Sequence, residues 1–283
     1  MRHLLACLFF SLSLCVSGFA AVAIEARVLE VLHEQRSIEV ELLKAGGNEL
    51  EIGSRRLFRV GLGDLGIGYQ GRRIRANAVF FGGNWHLEQI FPLDGIGAKA
   101  ARDVNHQLHQ ATATMSRRKY VKQGEYIPNF AMIDQRGEFL QARQLQGKPF
   151  MLNFIFTRCT VPNMCPASSQ RMADMQDAAA ALGLHDLQFV TITFDPLFDS
   201  PGILKQYAKG YGMEVENFHL LTTDSQTVVD DLLRQFGILT MEEDGTINHT
   251  MATLLVDANG RVAFRKEGSS WEVQEFLEAA KKL

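Results

Sequence analysis

Cysteine is scarce in this chain, with four among 283 residues, which excludes a small disulfide-dense scaffold. Positive charge is not in excess either. Lys and Arg number 29 against 32 Asp and Glu, for a formal net charge of −3. Nothing here neutralises a phosphate backbone, so no nucleic-acid partner is expected. Beyond the N-terminal region no stretch approaches 18 apolar residues, which excludes a second membrane span. Methionine is missing between Met1 and Met115, and no proline follows Pro201. What is present, 46% hydrophobic and 22% charged residues, is the composition of a folded protein with room for two modest domains.

Residues Leu4 to Ile24 carry no charged side chain, and Arg2 precedes them. A positive start, an apolar stretch to Val16 and small residues at Gly18-Phe19-Ala20 or Ala21-Val22-Ala23 make an export signal. Residues 1–23 thus read as a cleaved signal peptide or as an N-terminal membrane anchor, since about 20 apolar residues span a bilayer. Leu14 is too large for the position before a lipidated Cys15. Either way the body of the protein is expected outside the cytoplasm, periplasmic or tethered facing the periplasm. Cys7 and Cys15 fall inside this segment, leaving Cys159 and Cys165. One close pair in an exported chain admits a structural disulfide, a redox dithiol or a metal site.

Over residues 24–95 short apolar runs alternate with polar positions at Arg27–Leu32, Ser37–Leu43, Arg56–Gly61, Arg73–Phe80 and Trp85–Phe91. Five short strands with glycine turns at Gly46-Gly47 and Gly82-Gly83-Asn84 predict a small all-β domain, an OB-like barrel. Its His33, Trp85 and His86, without a methionine, suit a docking or spacer module better than a copper carrier. An alanine-rich helical linker is expected over 96–119, near Ala98 to Met115, followed by a basic Arg117-Arg118-Lys119-Tyr120 segment. Over 120–283 strands and helices alternate, which predicts an α/β domain around a mixed sheet. The run Pro149–Phe156 is apolar enough for a buried central strand. Glu242, Glu243 and Asp244 read most simply as a solvated loop.

The dithiol sits where that central strand ends. In Thr157-Arg-Cys159-Thr-Val-Pro-Asn-Met-Cys165-Pro166, Pro166 is suited to begin a helix. That places Cys165 at a helix N-terminus, where a thiolate is favoured. A thiolate serves both disulfide exchange and soft-metal binding, and an inert bridge has no need of one.

Gly124-x3-Pro128-x-Phe130, Asp134-x-x-Gly137, Gly147-Lys148, Phe154-Ile-Phe-Thr-x-Cys159 leading to Cys165-Pro166, Thr193-Phe-Asp195-Pro196, Tyr207-Ala208 and His249 ahead of Leu-Leu-Val-Asp-x-x-Gly together resemble the SCO/SenC family. The resemblance runs from about Tyr120 to Leu283. It implies a thioredoxin-like fold and a copper-binding metallochaperone, not an enzyme, for assembly of the CuA centre of a cytochrome c oxidase. The partners implied are the oxidase subunit carrying CuA and a copper donor protein. By position, Cys159 and Cys165 match the two thiolate ligands, His249 the imidazole ligand, and Asp195 an acidic position beside the site. Two thiolates and an imidazole are a soft set that selects copper, Cu(I) most readily. One departure is plain: five residues separate the cysteines, where the family usually has three.

The alternative is an extracytoplasmic thiol–disulfide oxidoreductase using Cys159 and Cys165 as a redox disulfide. Redox relatives of thioredoxin usually have two residues between their cysteines and a cis-proline before the facing strand. Here a histidine, His249, occupies that neighbourhood. A Cys-Cys-His set also admits zinc, though structural zinc wants a fourth ligand. Met164 and Met251 are of the right type for auxiliary ligands, but methionine more often fills a core.

Overall fold

The computed structural model describes residues 21–116, 119–213, 216–243 and 246–283. The export segment expected over 1–23 lies almost wholly outside the described residues, as do Arg117, Arg118 and Asp244. Among the described residues no helix is long and apolar enough to cross a membrane.

Strict alternation builds the first unit. Strands β1 (Val22–Leu32), β2 (Ser37–Ala45) and β3 (Arg55–Arg59), the single-turn α1 (Leu62–Leu65), then β4 (Arg73–Phe81) and β5 (Asn84–Pro92) form a closed barrel in the order β1-β2-β3-β5-β4. Every second residue points inward: Ile24, Ala26 and Val28 on β1, Ile38, Val40 and Leu42 on β2, Ile74, Ala76 and Ala78 on β4. This period of two is what a closed sheet with one dry face requires.

Helix α2 (Ile96–Thr114) leads into the second unit and is held against it. Asn105 brackets the Ala131 backbone, accepting from its N–H and donating to its carbonyl at 2.9 and 2.8 Å. Further along, His109 Nδ1 meets Asp231 Oδ2 at 2.9 Å.

The second unit is a seven-stranded mixed sheet with helices on both faces. Its strands are β6 (Ala131–Asp134), β7 (Phe139–Gln141), β8 (Phe150–Ile155), β9 (Gln188–Thr193), β10 (Phe218–Thr222), β13 (Ala252–Val256) and β14 (Val262–Glu267), in the order β14-β13-β8-β9-β10-β6-β7. β8, β9 and β10 run parallel, and the remaining pairs are antiparallel. Residues of β8 alternate between two cores. Phe150, Leu152 and Phe154 face one with Phe236, while Met151 faces the other with Trp271 and Phe276. The covering helices are α3 (Cys165–Ala181), α4 (Pro201–Gly210), α5 (Gln226–Phe236) and α6 (Val273–Ala280).

The expected barrel strands and the strand–helix alternation are present among the described residues, and α1, β7 and a hairpin of two strands are additional. α1 and the three-residue β7 are too short to show a period. The segment read as a solvated loop around Glu242 and Glu243 is instead a hairpin, β11 (Thr240–Glu243) with β12 (Thr246–His249). Its pairing sets Thr240 opposite His249, so His249 ends a strand of its own before β13 begins.

The two units touch closely where α1 meets α4. A Cβ on Gly63 would overlap the carbonyl of Gly202, and one on Gly202 would overlap the carboxylate of Asp64. The Lys205 ammonium donates to the Gly66 carbonyl, and Arg72 Nη1 donates to the Gly137 carbonyl at 2.9 Å.

Candidate metal centre

The site is built at the carboxyl ends of β8 and β9. β8 is fixed against α3 by a buried polar relay, in which Asn153 donates to Ser168 Oγ at 3.1 Å and accepts from Thr191 Oγ1 at 2.6 Å. After Phe156 the chain makes two tight turns. Cys159 N–H donates to the Phe156 carbonyl at 3.2 Å, and Met164 N–H to the Val161 carbonyl at 3.1 Å. The long spacing between the cysteines is absorbed by these turns, and both sulfurs come to one side. The helix begins at Cys165 itself, so Pro166 is its second residue and not its first.

Cys159 Sγ, Cys165 Sγ and a His249 ring nitrogen lie within 4.8 Å of one another. Both cysteines are free thiols. His249 Nδ1 donates to the Thr250 carbonyl at 3.0 Å, since a carbonyl can only accept. That bond puts the proton on Nδ1 and leaves the Nε2 lone pair facing Cys165 Sγ, 3.5 Å away. The imidazole packs against Phe194 and Phe156, with ring centroids 4.6 and 5.7 Å away, and those two rings touch each other at 5.2 Å. Among the described residues this is the one group of three or more His, Cys, Asp or Glu side chains gathered as for a metal ion.

Burial overrides the expected thiolate activation. Cys165 is fully buried, and desolvation, with the adjacent Cys159 adding to it, pushes its thiol well above the usual range. The helix N-terminus does not reverse this. Desolvation also lowers His249, against a smaller opposite effect of the Thr250 carbonyl. Burial thus disfavours charge on both Cys165 and His249.

Asp195 is not among the convergent donors. Its buried carboxylate accepts from Arg158 Nε and Nη2 at 2.9 and 2.7 Å, and Arg158 stacks over Phe198 at 4.8 Å. Asp195 therefore holds the residue before Cys159. Met251 is buried core. A second carboxylate, Asp199, was not singled out by sequence. It is fully buried, accepts from the Thr157 N–H at 3.1 Å and takes both the Thr157 and Thr193 hydroxyls. Desolvation raises its pKa to about 6 despite those bonds. Its signal in the sequence was the spacing Asp195-Pro-Leu-Phe-Asp199-Ser-Pro201, which sets one carboxylate just before a helix that starts with proline. Val161 between the two cysteines, Leu197 and Phe198 just after Asp195, and Leu239 and Met241 at the start of β11 are exposed.

A mixed sheet with two thiols and one imidazole converging above its parallel strands defines a class of soft-metal or dithiol protein. The family follows from comparison: the SCO1/SenC family model matches residues 118–282, and the chain belongs to that family. It is similar to a SCO2-like protein of Rickettsia typhi, 31% identical over an alignment 164 residues long that covers 52% of this chain and 74% of that protein. It is also similar to a solved SCO1/SenC family lipoprotein from Bacillus anthracis, with a TM-score of 0.53 at 27% identity over 58% of this chain and 99% of that one. BsSco, described as a Sco-family cytochrome c oxidase assembly protein with a disulfide switch, shares the fold. Its TM-score is 0.50 at 24% identity, covering 58% of this chain and 96% of that one.

Proposed function

We propose that this chain is an exported, thioredoxin-like Sco protein that binds one copper ion through Cys159, Cys165 and His249. It delivers that copper during assembly of the CuA centre of a cytochrome c oxidase. In this reading it is a metallochaperone, with residues 120–283 as the copper domain, 96–119 as the connection and 24–95 as a docking or spacer module. The observation that carries it is the convergence of two free sulfurs and an imidazole lone pair within 4.8 Å. Two sulfurs and one nitrogen suit Cu(I), which accepts low coordination numbers and soft donors, whereas Mg²⁺ or Ca²⁺ would need oxygen ligands.

Transfer needs an approach path for a partner's ligand. The exposed Val161, Leu197, Leu239 and Met241 supply an apolar rim suited to a CuA-bearing subunit, or to a copper donor, docking over the site. Asp195 acts through Arg158, steadying the cysteine loop without touching the metal. The test is copper stoichiometry of the reduced protein under competition with a Cu(I) chelator. One equivalent is expected, lost in Cys159→Ala and Cys165→Ala, while His249→Ala weakens Cu(II) more than Cu(I). Unchanged copper content in all three variants would sink the reading.

A second reading is favoured by one observation, the two free thiols side by side. The pair would reduce a partner's disulfide to two thiols, becoming a Cys159–Cys165 disulfide itself. A protein that retains no copper yet exchanges stoichiometrically with a disulfide substrate belongs to this reading.

A further inference from the structure

Among the described residues Phe81 is the most exposed large hydrophobic side chain, at 75% of its full accessible surface. It does not ride on a loose loop. The β4–β5 hairpin closes through Gly82 and Gly83, whose φ values of 58° and 79° are those of a tight two-residue turn. Behind the tip, Phe80 meets Trp85 edge-on at 5.4 Å, and Trp85 meets the barrel-core residue Phe58 at 6.4 Å. The tip is an aromatic wedge anchored in the barrel.

The strand register says which end of the barrel this is. Val22, where β1 starts, pairs with Ala78, and β4 continues antiparallel past it to Phe81. The start of β1 therefore lies beside the hairpin tip. The loop after β2 lies at the same end, because Gly46 N–H donates to the Ala23 carbonyl at 3.0 Å. That loop exposes Ile52 at 62%. The sequence leading into Val22 is the uncharged stretch from Leu4. Two exposed apolar side chains thus flank the start of β1, which a membrane-compatible stretch precedes in sequence.

We propose that this end of the barrel, with Phe81, Trp85 and Ile52, rests in the interfacial layer of a phospholipid bilayer. The half-buried Trp85, with its polar indole N–H, is at home at that depth, Phe81 and Ile52 bring apolar surface to it, and a rigid turn presents the tip without an ordering cost. Glu49 and Glu51 on the same loop are exposed, and Lys44 is paired with Glu25 at 2.7 Å. Arg55 and Arg59 of β3 are exposed on this side as well. Acidic and basic side chains are thus mixed around the tip, and the contact rests on the acyl–headgroup boundary of the bilayer rather than on one sign of headgroup charge. Such seating fixes the barrel upright on the membrane and gives it a role that needs no metal of its own. It stands whether or not the copper reading does.

The chain carries two tryptophans, and Trp271 is fully buried in the second unit, so Trp85 reports the tip. The full 283-residue chain is reconstituted into phosphatidylcholine vesicles with plain or brominated acyl chains, and tryptophan emission is compared. Quenching by the brominated lipid is expected, absent in Trp85→Phe and diminished in the double variant Phe81→Ser, Ile52→Ser, whose sites are exposed and outside the core. Equal emission in both lipids would show a barrel standing clear of the bilayer and overturn the proposal. So would quenching that persists unchanged in the double variant.

Discussion

Cys165 Sγ and His249 Nε2, 84 residues apart in sequence, lie 3.5 Å from each other in a pocket walled by phenylalanine. The pocket penalises charge on both, which keeps the thiol protonated and the imidazole neutral. Loading a thiolate-bound cation must then expel the Cys165 proton, while His249 has none to give on the nitrogen that faces the site. Apparent Cu(I) affinity should therefore rise with pH by about tenfold per unit for each thiol proton released. Isothermal titration in buffers of different ionisation enthalpy counts those protons. Affinity that is flat across the neutral range would contradict a buried, protonated Cys165.

Asp199 holds the start of the cysteine loop. Removing it leaves the Thr157 N–H, the half-buried Thr157 hydroxyl and the buried Thr193 hydroxyl without their acceptor. Each abandoned group costs roughly 1–3 kcal/mol, so Asp199→Ala should lower the unfolding free energy by more than a single surface change does. Asp199→Asn keeps one acceptor oxygen and should fall between. Chemical denaturation of the three proteins orders them. Loss of copper affinity in Asp199→Asn with its stability retained would mark the carboxylate as a positioning group for the loop.

The convergence of Cys159, Cys165 and His249 was legible in the sequence. The apolar run of β8, the proline behind Cys165 and a histidine ahead of an apolar strand mark three ends of elements that only a sheet can gather. What stayed hidden has physical causes. The thiolate expected at a helix N-terminus loses to desolvation, a quantity set by Phe156, Phe194 and the rest of the pocket and not by local sequence. The β11–β12 hairpin hid behind an acidic run whose composition favours a loop, yet its pairing is what carries His249 to the sulfurs. Asp195 and Asp199 look alike in sequence, and only the fold gives one to Arg158 and the other to Thr157. The junction of barrel and sheet rests on Gly63 against Gly202, a contact made by missing side chains, which no hydrophobic pattern can announce.

That junction gives a steric prediction. A methyl group at Gly63 has no room against the Gly202 backbone, and backbone cannot move aside as a side-chain tip can. Gly63→Ala should part the two units or cost on the order of 1–3 kcal/mol through overpacking. Gly47→Ala meets nothing within 4 Å and serves as the control. Small-angle scattering reads the separation directly. Identical profiles with unchanged melting temperature would mean the contact is not maintained in solution.

Asp64 gives the junction a pH dependence. The carboxyl is buried beside Gly202, its Oδ1 has no hydrogen-bond partner, and desolvation raises its pKa from 3.8 to about 7. In the unfolded chain it ionises near the ordinary carboxylate value, so between about pH 4 and pH 7 the native state holds more protons than the unfolded state. Stability must then fall as pH rises through that window and level off above it. The shift corresponds to at most about 4 kcal/mol. Asp199, raised to about 6, adds a slope of the same sign that ends lower, and His249, lowered by desolvation, adds one of opposite sign. The difference between wild type and an Asp64 variant, not the wild-type slope itself, therefore isolates Asp64 from pH 6 to 7. Asp64→Asn cannot ionise and should remove the Asp64 share of the slope in that interval, whatever its effect on absolute stability. Urea midpoints at half-unit steps of pH for wild type and variant measure the difference, and parallel curves from pH 6 to 7 would show that Asp64 finds solvent or a partner when it ionises.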